Sequence, residues 1–242
     1  MSYGHLSEKK TLSEEDIEKE YGRTWIWTSL DSNTRLIISF LVGKRTIEDC
    51  EKFIKDLAGR IDNKPLFVSD ELPHYKAAIL EEYHTLKEFE KTGKRGRPKK
   101  LAKEIDPEID YAIVHKTRTN GKIVKVETKI VFGTEESVAK KLERSVSKTI
   151  NTAYIERSNG TLRLYDSNLQ RKTLKFAKEK KLLESKVGII IAYYNFVKVH
   201  CTLSRNEDKS FTARTPAVAA GLTEKPWTIK YLLEMPFRCI NN

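Results

Sequence analysis

The sequence predicts a mixed α/β fold, on three observations. Two runs rich in aromatic and β-branched residues, 24–30 and 35–42, flank the turn formers Asp31-Ser32-Asn33-Thr34. A helical period starts after Thr46, and a second pair of runs surrounds Asn120-Gly121. Strand and helix signals therefore interleave along a chain of 242 residues, long enough for one large domain or two small ones.

Residues 1–22 are polar and charged. A short helix capped by Ser13, with Glu14, Glu15 and Asp16 at its positive end, is expected there, without a core. The runs at 24–30 and 35–42 form the first hairpin. Thr46 then reads as a helix N-cap, with Glu48 and Asp49 in the first turn and Cys50, Phe53, Ile54, Leu57, Ala58 and Ile61 at helical spacing. Asp62-Asn63 and Pro65 close that helix. Leu66-Phe67-Val68-Ser69 reads as a buried strand with Asp70 at its C-terminal end. After Pro73 a second helical pattern carries Tyr75, Ala78, Ile79, Glu82, Tyr83 and Leu86.

Residues 91–103 hold seven Lys and Arg and no acid, while Gly93, Gly96 and Pro98 deny them a helix. Arg95-Gly96-Arg97-Pro98 resembles the core of an AT-hook, which lies in a narrow A·T minor groove. A solvated basic loop is the other reading of the same residues. In the hairpin at 111–132, Val124, Val126, Thr128, Ile130 and Phe132 alternate with Lys125, Glu127 and Lys129, which predicts one buried and one wet face. Residues 135–148 read as a polar helix. A basic segment at 171–181 leads into a long apolar helix through Ile189, Ile190, Tyr193, Tyr194 and Val197. Thr215-Pro216-Ala217 opens another helical turn that Gly221 closes, and 227–233 is the last packed element.

Charge narrows the partner. Forty-five Lys and Arg against 34 Asp and Glu leave +11, with a pI near 9.4, which favours a polyanion, nucleic acid before anionic membrane. The longest apolar run, at 188–197, is interrupted by Asn195 and falls short of the ~20 residues of a membrane span. No apolar signal core opens the chain, so the expected location is cytoplasmic. Cys50, Cys201 and Cys239 lack Cys-x-x-Cys or Cys/His spacing, which argues against disulfides and structural zinc.

The chemistry is expected at 151–163. On a helix, Glu156, Asn159, Gly160 and Arg163 fall at i, i+3, i+4 and i+7, so a carboxylate, an amide, a gap and a guanidinium share a face. That combination suits a site that holds a metal ion and admits a phosphate backbone. A solvated helix face is the alternative.

Hairpin, helix, strand, helix, hairpin, helix, with carboxylates at a strand end and on a later helix, is the order of a ribonuclease-H-like fold. Six blocks then carry a more specific likeness. They are 25–37 (Trp-Ile-Trp-Thr-Ser-Leu-Asp-Ser-Asn-Thr-Arg-Leu-Ile), 42–46 (Val-Gly-Lys-Arg-Thr), 68–70 (Val-Ser-Asp), 154–163 (Tyr-Ile-Glu-Arg-Ser-Asn-Gly-Thr-Leu-Arg), Tyr193-Tyr194-Asn195-Phe196 with His200, and 215–222 (Thr-Pro-Ala-Val-Ala-Ala-Gly-Leu). In this order they resemble the catalytic domain of DDE-type transposases of small prokaryotic insertion elements, from about Gly22 onward. The resemblance implies DNA transposition by two-metal phosphoryl transfer, in which three carboxylates bind two Mg²⁺ (or Mn²⁺) ions.

By motif match Asp70 is the second carboxylate and Glu156 the third, so these two are the expected catalytic and metal-binding residues. Arg163 matches the family's basic residue near the transposon-end DNA. With Arg157, Asn159, Arg95, Arg97, Lys99 and Lys100 it makes up the expected DNA-binding set, while Tyr154 is given a supporting role. His200 matches a histidine of the family's C-terminal block, although a histidine beside an aromatic helix is more often packed than catalytic. The implied partners are double-stranded DNA, as insertion-element ends and target, and a homo-oligomer, with no membrane. The implied organisation is a polar N-terminal remnant at 1–22, a ribonuclease-H-like catalytic domain at 23–200 with 91–103 as a basic insertion loop, and a C-terminal helical extension at 201–242.

The chain departs from the family at its beginning. The first carboxylate belongs to a first strand roughly thirty residues ahead of Trp25, in an Asp-Glu-x-Trp-Ser type motif of which Ser2-Tyr3 matches only the tail. An incomplete first strand, a missing first carboxylate and a chain inactive alone are therefore expected. Asp31 reads as a turn former and a poor substitute. A non-catalytic remnant that binds DNA or a full-length transposase is the alternative. An RNA-binding or ribosome-associated basic protein would leave the spacing of Asp70 and Glu156 unexplained.

Overall fold

Asp31 does what a turn-forming aspartate does. In the computed structural model, which describes residues 2–5, 23–87, 102–170, 174, 175, 177–206 and 208–235, its carboxylate accepts from the Asn33 and Thr34 N–H groups and the Thr34 hydroxyl. That turn joins β2 (Arg23–Leu30) to β3 (Ile37–Gly43), paired antiparallel from Trp25↔Gly43 to Leu30↔Ile37. β1 (Ser2–His5) adds antiparallel to the other side of β2, giving the order β1-β2-β3. Its one neighbour among the described strands is β2. The Ser13-capped helix lies outside the described residues.

The Thr46 cap forms as the sequence predicts. Thr46 Oγ1 accepts from Asp49 N–H at 3.3 Å and starts α1 (Ile47–Ala58), which buries Cys50, Phe53, Ile54 and Leu57. β4 (Leu66–Asp70) follows, half-buried rather than buried, and α2 (Pro73–Glu82) ends before Leu86. Leu86 sits instead in β5 (His84–Lys87), paired antiparallel with β6 (Ala102–Ile105). Arg95, Arg97, Lys99 and Lys100 lie outside the described residues. Lys103, the last cation of that basic segment, pairs with Glu81.

β7 (Asp110–Thr119) and β8 (Lys122–Phe132) are joined by Asn120 at φ 51° and Gly121 at φ 78°, the two positive φ values that an Asn-Gly hairpin turn demands. β4 runs parallel to β7, giving the order β4-β7-β8. One expectation fails here. Residues 122–129 of β8 are exposed on both faces, Val124 and Val126 included, because β8 is an edge strand whose outer half extends past the core under β7. α3 (Glu135–Glu143) has a capping box from Thr134 and Ser137 and stops five residues before the predicted end.

α4 (Ala153–Tyr165) is followed by a 3-10 turn (Ser167–Leu169), then α5 (Lys180–Ala192), which continues into a π turn (Tyr193–Val197). Among the described residues three short helices follow: α6 (Cys201–Ser204), α7 (Pro216–Ala219), capped by Thr215 and ended at Gly221 with φ 74°, and α8 (Ile229–Glu234). Trp227 stacks on Phe196 at 4.3 Å and tethers the last segment to the π turn.

Two compact units result, Met1–Lys44 with Tyr154–Asn242, and Arg45–Ala153, so the boundaries fall at 44/45 and 153/154. In the first, Ile26, Ile37 and Val42 of the sheet pack with Leu162, Leu169, Leu183, Val187, Ile191 and Tyr194. Full burial of such a side chain contributes roughly 1.5–3 kcal/mol. The second has its own core, with Phe53 and Ile54 of α1, Ile79 of α2, Tyr111 and Ala112 of β7 and Val138 of α3. α5, the π turn and, after a non-helical step at 198–200, α6 together span Lys180–Ser204, 25 residues, so the ten-residue apolar run understated the length of this stretch. By length and composition it could cross a membrane. It is only weakly apolar, at mean hydropathy 1.2, and its stripe Leu183, Val187, Ile191 and Tyr194 already belongs to the core of the first unit.

Candidate active site

Asp70 ends β4 at the surface of the second unit. Its strand end is held by Ser69, whose hydroxyl lies 2.8 Å from the Tyr111 hydroxyl and 2.6 Å from the Asp70 carbonyl. Beneath it are groups that burial keeps neutral. The Cys50 thiol is pushed up to about 12 by burial, then by the charges of Glu51 and Asp70. Burial takes the Tyr111 phenol to about 12 against the pull of its Ser69 hydrogen bond, and raises Tyr75 well above the usual phenol value. Glu71, next in the chain, is hydrogen-bonded through its carboxylate to His115 Nδ1 of β7.

The remaining described candidates lie on α4, in the first unit. Asn151 Oδ1 accepts from Ala153 N–H at 3.0 Å at the helix start. Two contacts then fix α4 on the β2–β3 hairpin. Thr28 Oγ1 donates to Asn159 Oδ1 at 3.0 Å, and the Arg35 guanidinium lies 3.6 Å from the centre of the Tyr154 ring. Glu156 and Arg157 are exposed, Arg163 is half-buried, and a methyl group added at Gly160 would meet nothing within 4 Å.

The single polar face read from the spacing is therefore split. Asn159 is 1% exposed and its Oδ1 accepts from Thr28, which makes it an anchor of the helix, while its Nδ2 is buried without a hydrogen-bond partner. Tyr154 supports from beneath, as the stack for Arg35.

His200 follows the π turn with its main-chain N–H bonded to the Arg214 carbonyl at 2.9 Å, while its Nδ1 is buried without a hydrogen-bond partner. Burial lowers its pKa first, and the Arg35, Lys198 and Arg157 cations lower it further. Sequence reading missed Arg35 and Lys198. Arg35 looks like the first residue of a strand, yet it is buried at φ 63°, a left-handed backbone uncommon for an arginine. The only signal was its place directly after four turn formers.

Two buried aspartates are structural. Asp110 pairs with Lys141 at 2.8 Å and accepts from Ser137; Asp166 pairs with Lys186 at 2.5 Å and caps the 3-10 turn through Asn168 N–H. Among the described residues no three His, Cys, Asp or Glu groups come together as a metal site. Asp70 and Glu156 are each exposed carboxylates, the hard oxygen donors that Mg²⁺ takes, and each stands in a different unit. No family model, curated protein or solved structure matches this chain.

Proposed function

We propose that this chain acts on DNA as a ribonuclease-H-like, DDE-type transposase domain of a small insertion element, with phosphoryl transfer at element ends as the reaction. The observation that carries the reading is the placement of its two motif carboxylates. Asp70 ends a half-buried strand in the open, and Glu156 stands exposed on a helix that Thr28 and Arg35 anchor from beneath. Carboxylates kept solvent-facing on well-anchored elements are what a hard metal ion and a phosphate require, and the +11 charge supplies attraction for the polyanion.

In this reading Asp70 and Glu156 would each offer a carboxylate oxygen to Mg²⁺, and the ion would supply Lewis-acid stabilisation of charge on a phosphoryl oxygen. Arg157 and Arg163 take backbone phosphates, and open space at Gly160 lets the duplex approach the helix. β1, Ser2–His5, contributes no carboxylate, so the match supplies two of three. That favours DNA binding without strand cleavage for these 242 residues, alone or with a full-length transposase.

Incubation with insertion-element-end DNA and Mg²⁺ or Mn²⁺ tests both halves. Salt-sensitive binding without nicking is the expected result. Absence of DNA binding at low salt overturns the reading. Nicking that Asp70→Ala abolishes would retain the transposase and show that a further residue completes the carboxylate set.

A further inference from the structure

We propose that the outer edge of β8 is a self-association surface, on which two copies of this chain pair β8 to β8 antiparallel about a two-fold axis at Val126. The inference concerns the second unit alone and does not rest on the DNA reading.

β8 pairs with β7 along one edge, and no other described strand pairs with it. A strand edge of this kind presents a row of N–H and C=O groups to a second strand. Ile123, Val124 and Val126 are β-branched residues suited to a covered sheet, yet they are 47%, 60% and 55% exposed. Charge on such an edge ordinarily prevents pairing, most often as lysine. Here Lys125 and Lys129 flank Glu127, so the charges alternate in sign and can complement themselves.

Symmetry limits the registers. When two identical antiparallel strands are related by a two-fold axis, residue i faces residue j of the copy and j faces i. Facing side chains lie on the same side of the sheet, so the axis must pass through a residue. An axis at Lys125 sets that lysine against its own copy. An axis at Glu127 sets Glu127 against Glu127 and Lys125 against Lys129. Like charges directly opposite each other disfavour both. With the axis at Val126, Lys125 faces Glu127 of the second copy, twice by symmetry, while Val126 faces Val126 and Val124 faces Thr128. Lys125 and Glu127 already pair at 2.8 Å within one strand, so both lie on one side of the sheet. The dimer then carries four alternating charges on that side and the paired valines on the other. An axis at Thr128 also sets Glu127 against Lys129, but it draws in the half-buried end of the strand, 130–132, and leaves Lys125 against Val131.

Sedimentation of the full chain in a concentration series up to about 0.3 mM reads the association, because pairing of this extent belongs with weak interfaces. A concentration-dependent dimer is expected. Lys125→Glu and Glu127→Lys each replace unlike by like pairs twice, and each should weaken dimerisation about tenfold. The double variant Lys125→Glu/Glu127→Lys restores unlike pairs about Val126 and should return the dimer to within about twofold of the unaltered chain. About Thr128 the same double variant would set a lysine against Lys129 and give no rescue. Facing Cα atoms of an antiparallel pair lie about 4.5–5.5 Å apart, within reach of a disulfide. With the exposed Cys201 and with Cys239 both replaced by Ser, Val126→Cys should therefore give a disulfide-linked dimer under mild oxidation, and Lys125→Glu should suppress it. A chain that stays monomeric, a dimer indifferent to the single reversals, or reversals that the double variant does not rescue would each overturn the proposal. A monomer that binds DNA overturns it and spares the DNA reading, whereas a dimer with this charge pattern and no affinity for DNA does the converse.

Discussion

Asn195 ties the π turn to the sheet through one side chain. Its Oδ1 accepts from Ile37 N–H at 3.1 Å and its Nδ2 donates to Ile37 C=O at 2.9 Å, so the amide imitates a neighbouring strand at the edge of β3. Asn195→Ala leaves two buried backbone groups without partners, and a loss of about 2–4 kcal/mol in urea unfolding is expected. Asn195→Asp, which keeps the acceptor but loses the donor, should also destabilise. His200 gives a second expectation, with its sign fixed by linkage. Its pKa in the fold lies below the ordinary 6.5. The unfolded chain therefore takes up the proton first as pH falls. The stability that neutral His200 contributes is complete above about 6.5 and is lost as pH drops through the window down to the lowered value. His200→Gln should flatten that part of a thermal-midpoint profile against pH.

At the scale of elements, the junction of β8 and α3 offers the sharpest test. Gly133 has φ 91°, and a Cβ there would come within 1.8 Å of Asp110 Oδ1, the buried carboxylate that Ser137 and Lys141 hold. Gly133→Ala should cost roughly 2–4 kcal/mol, part from the backbone and part from the clash. In an Asp110→Ala background the clash part should vanish, so a double-mutant cycle in denaturant separates the two. The same elements show what the sequence could tell. Thr46, Thr215, Asp31 and Asn120-Gly121 act within a few residues of themselves, and their caps and turns were legible from local chemistry; the Thr134 capping box is equally local but was not read. Failures came where the outcome depends on distant partners. The alternation in β8 promised a buried face, but among the described residues nothing covers its outer half, and Val124 and Val126 are exposed. The spacing of Glu156, Asn159 and Arg163 was read correctly as helical, yet only the arrival of Thr28, 131 residues earlier, decides that Asn159 points inward. Arg35 and Lys198 were illegible because their neighbours Tyr154 and Tyr165 are far along the chain.

For the whole molecule, charge is the property that a simple measurement reaches. A net +11 on 242 residues attracts any polyanion, so bare affinity for DNA says little, and the salt dependence carries the information. Each phosphate neutralised by a lysine or arginine releases counterions and adds about 0.9 to the slope of log K against log salt. The segment at 91–103 concentrates seven of the 45 cations without one acid, the densest such run in the sequence. Replacing Arg95, Arg97, Lys99 and Lys100 together by Ala should, if all four meet phosphates, lower that slope by about 3.6 units. The comparison requires matched A·T-rich and G·C-rich duplexes. Loss of slope on both assigns the segment to backbone phosphates, and a larger loss of affinity on A·T-rich DNA assigns the Arg95-Gly96-Arg97 core to a narrow minor groove. An unchanged slope and affinity on both would remove the segment from the DNA contacts. The slope that remains would then belong to the other cations, where Arg157→Ala should lower it by about one further unit if that exposed guanidinium holds a phosphate.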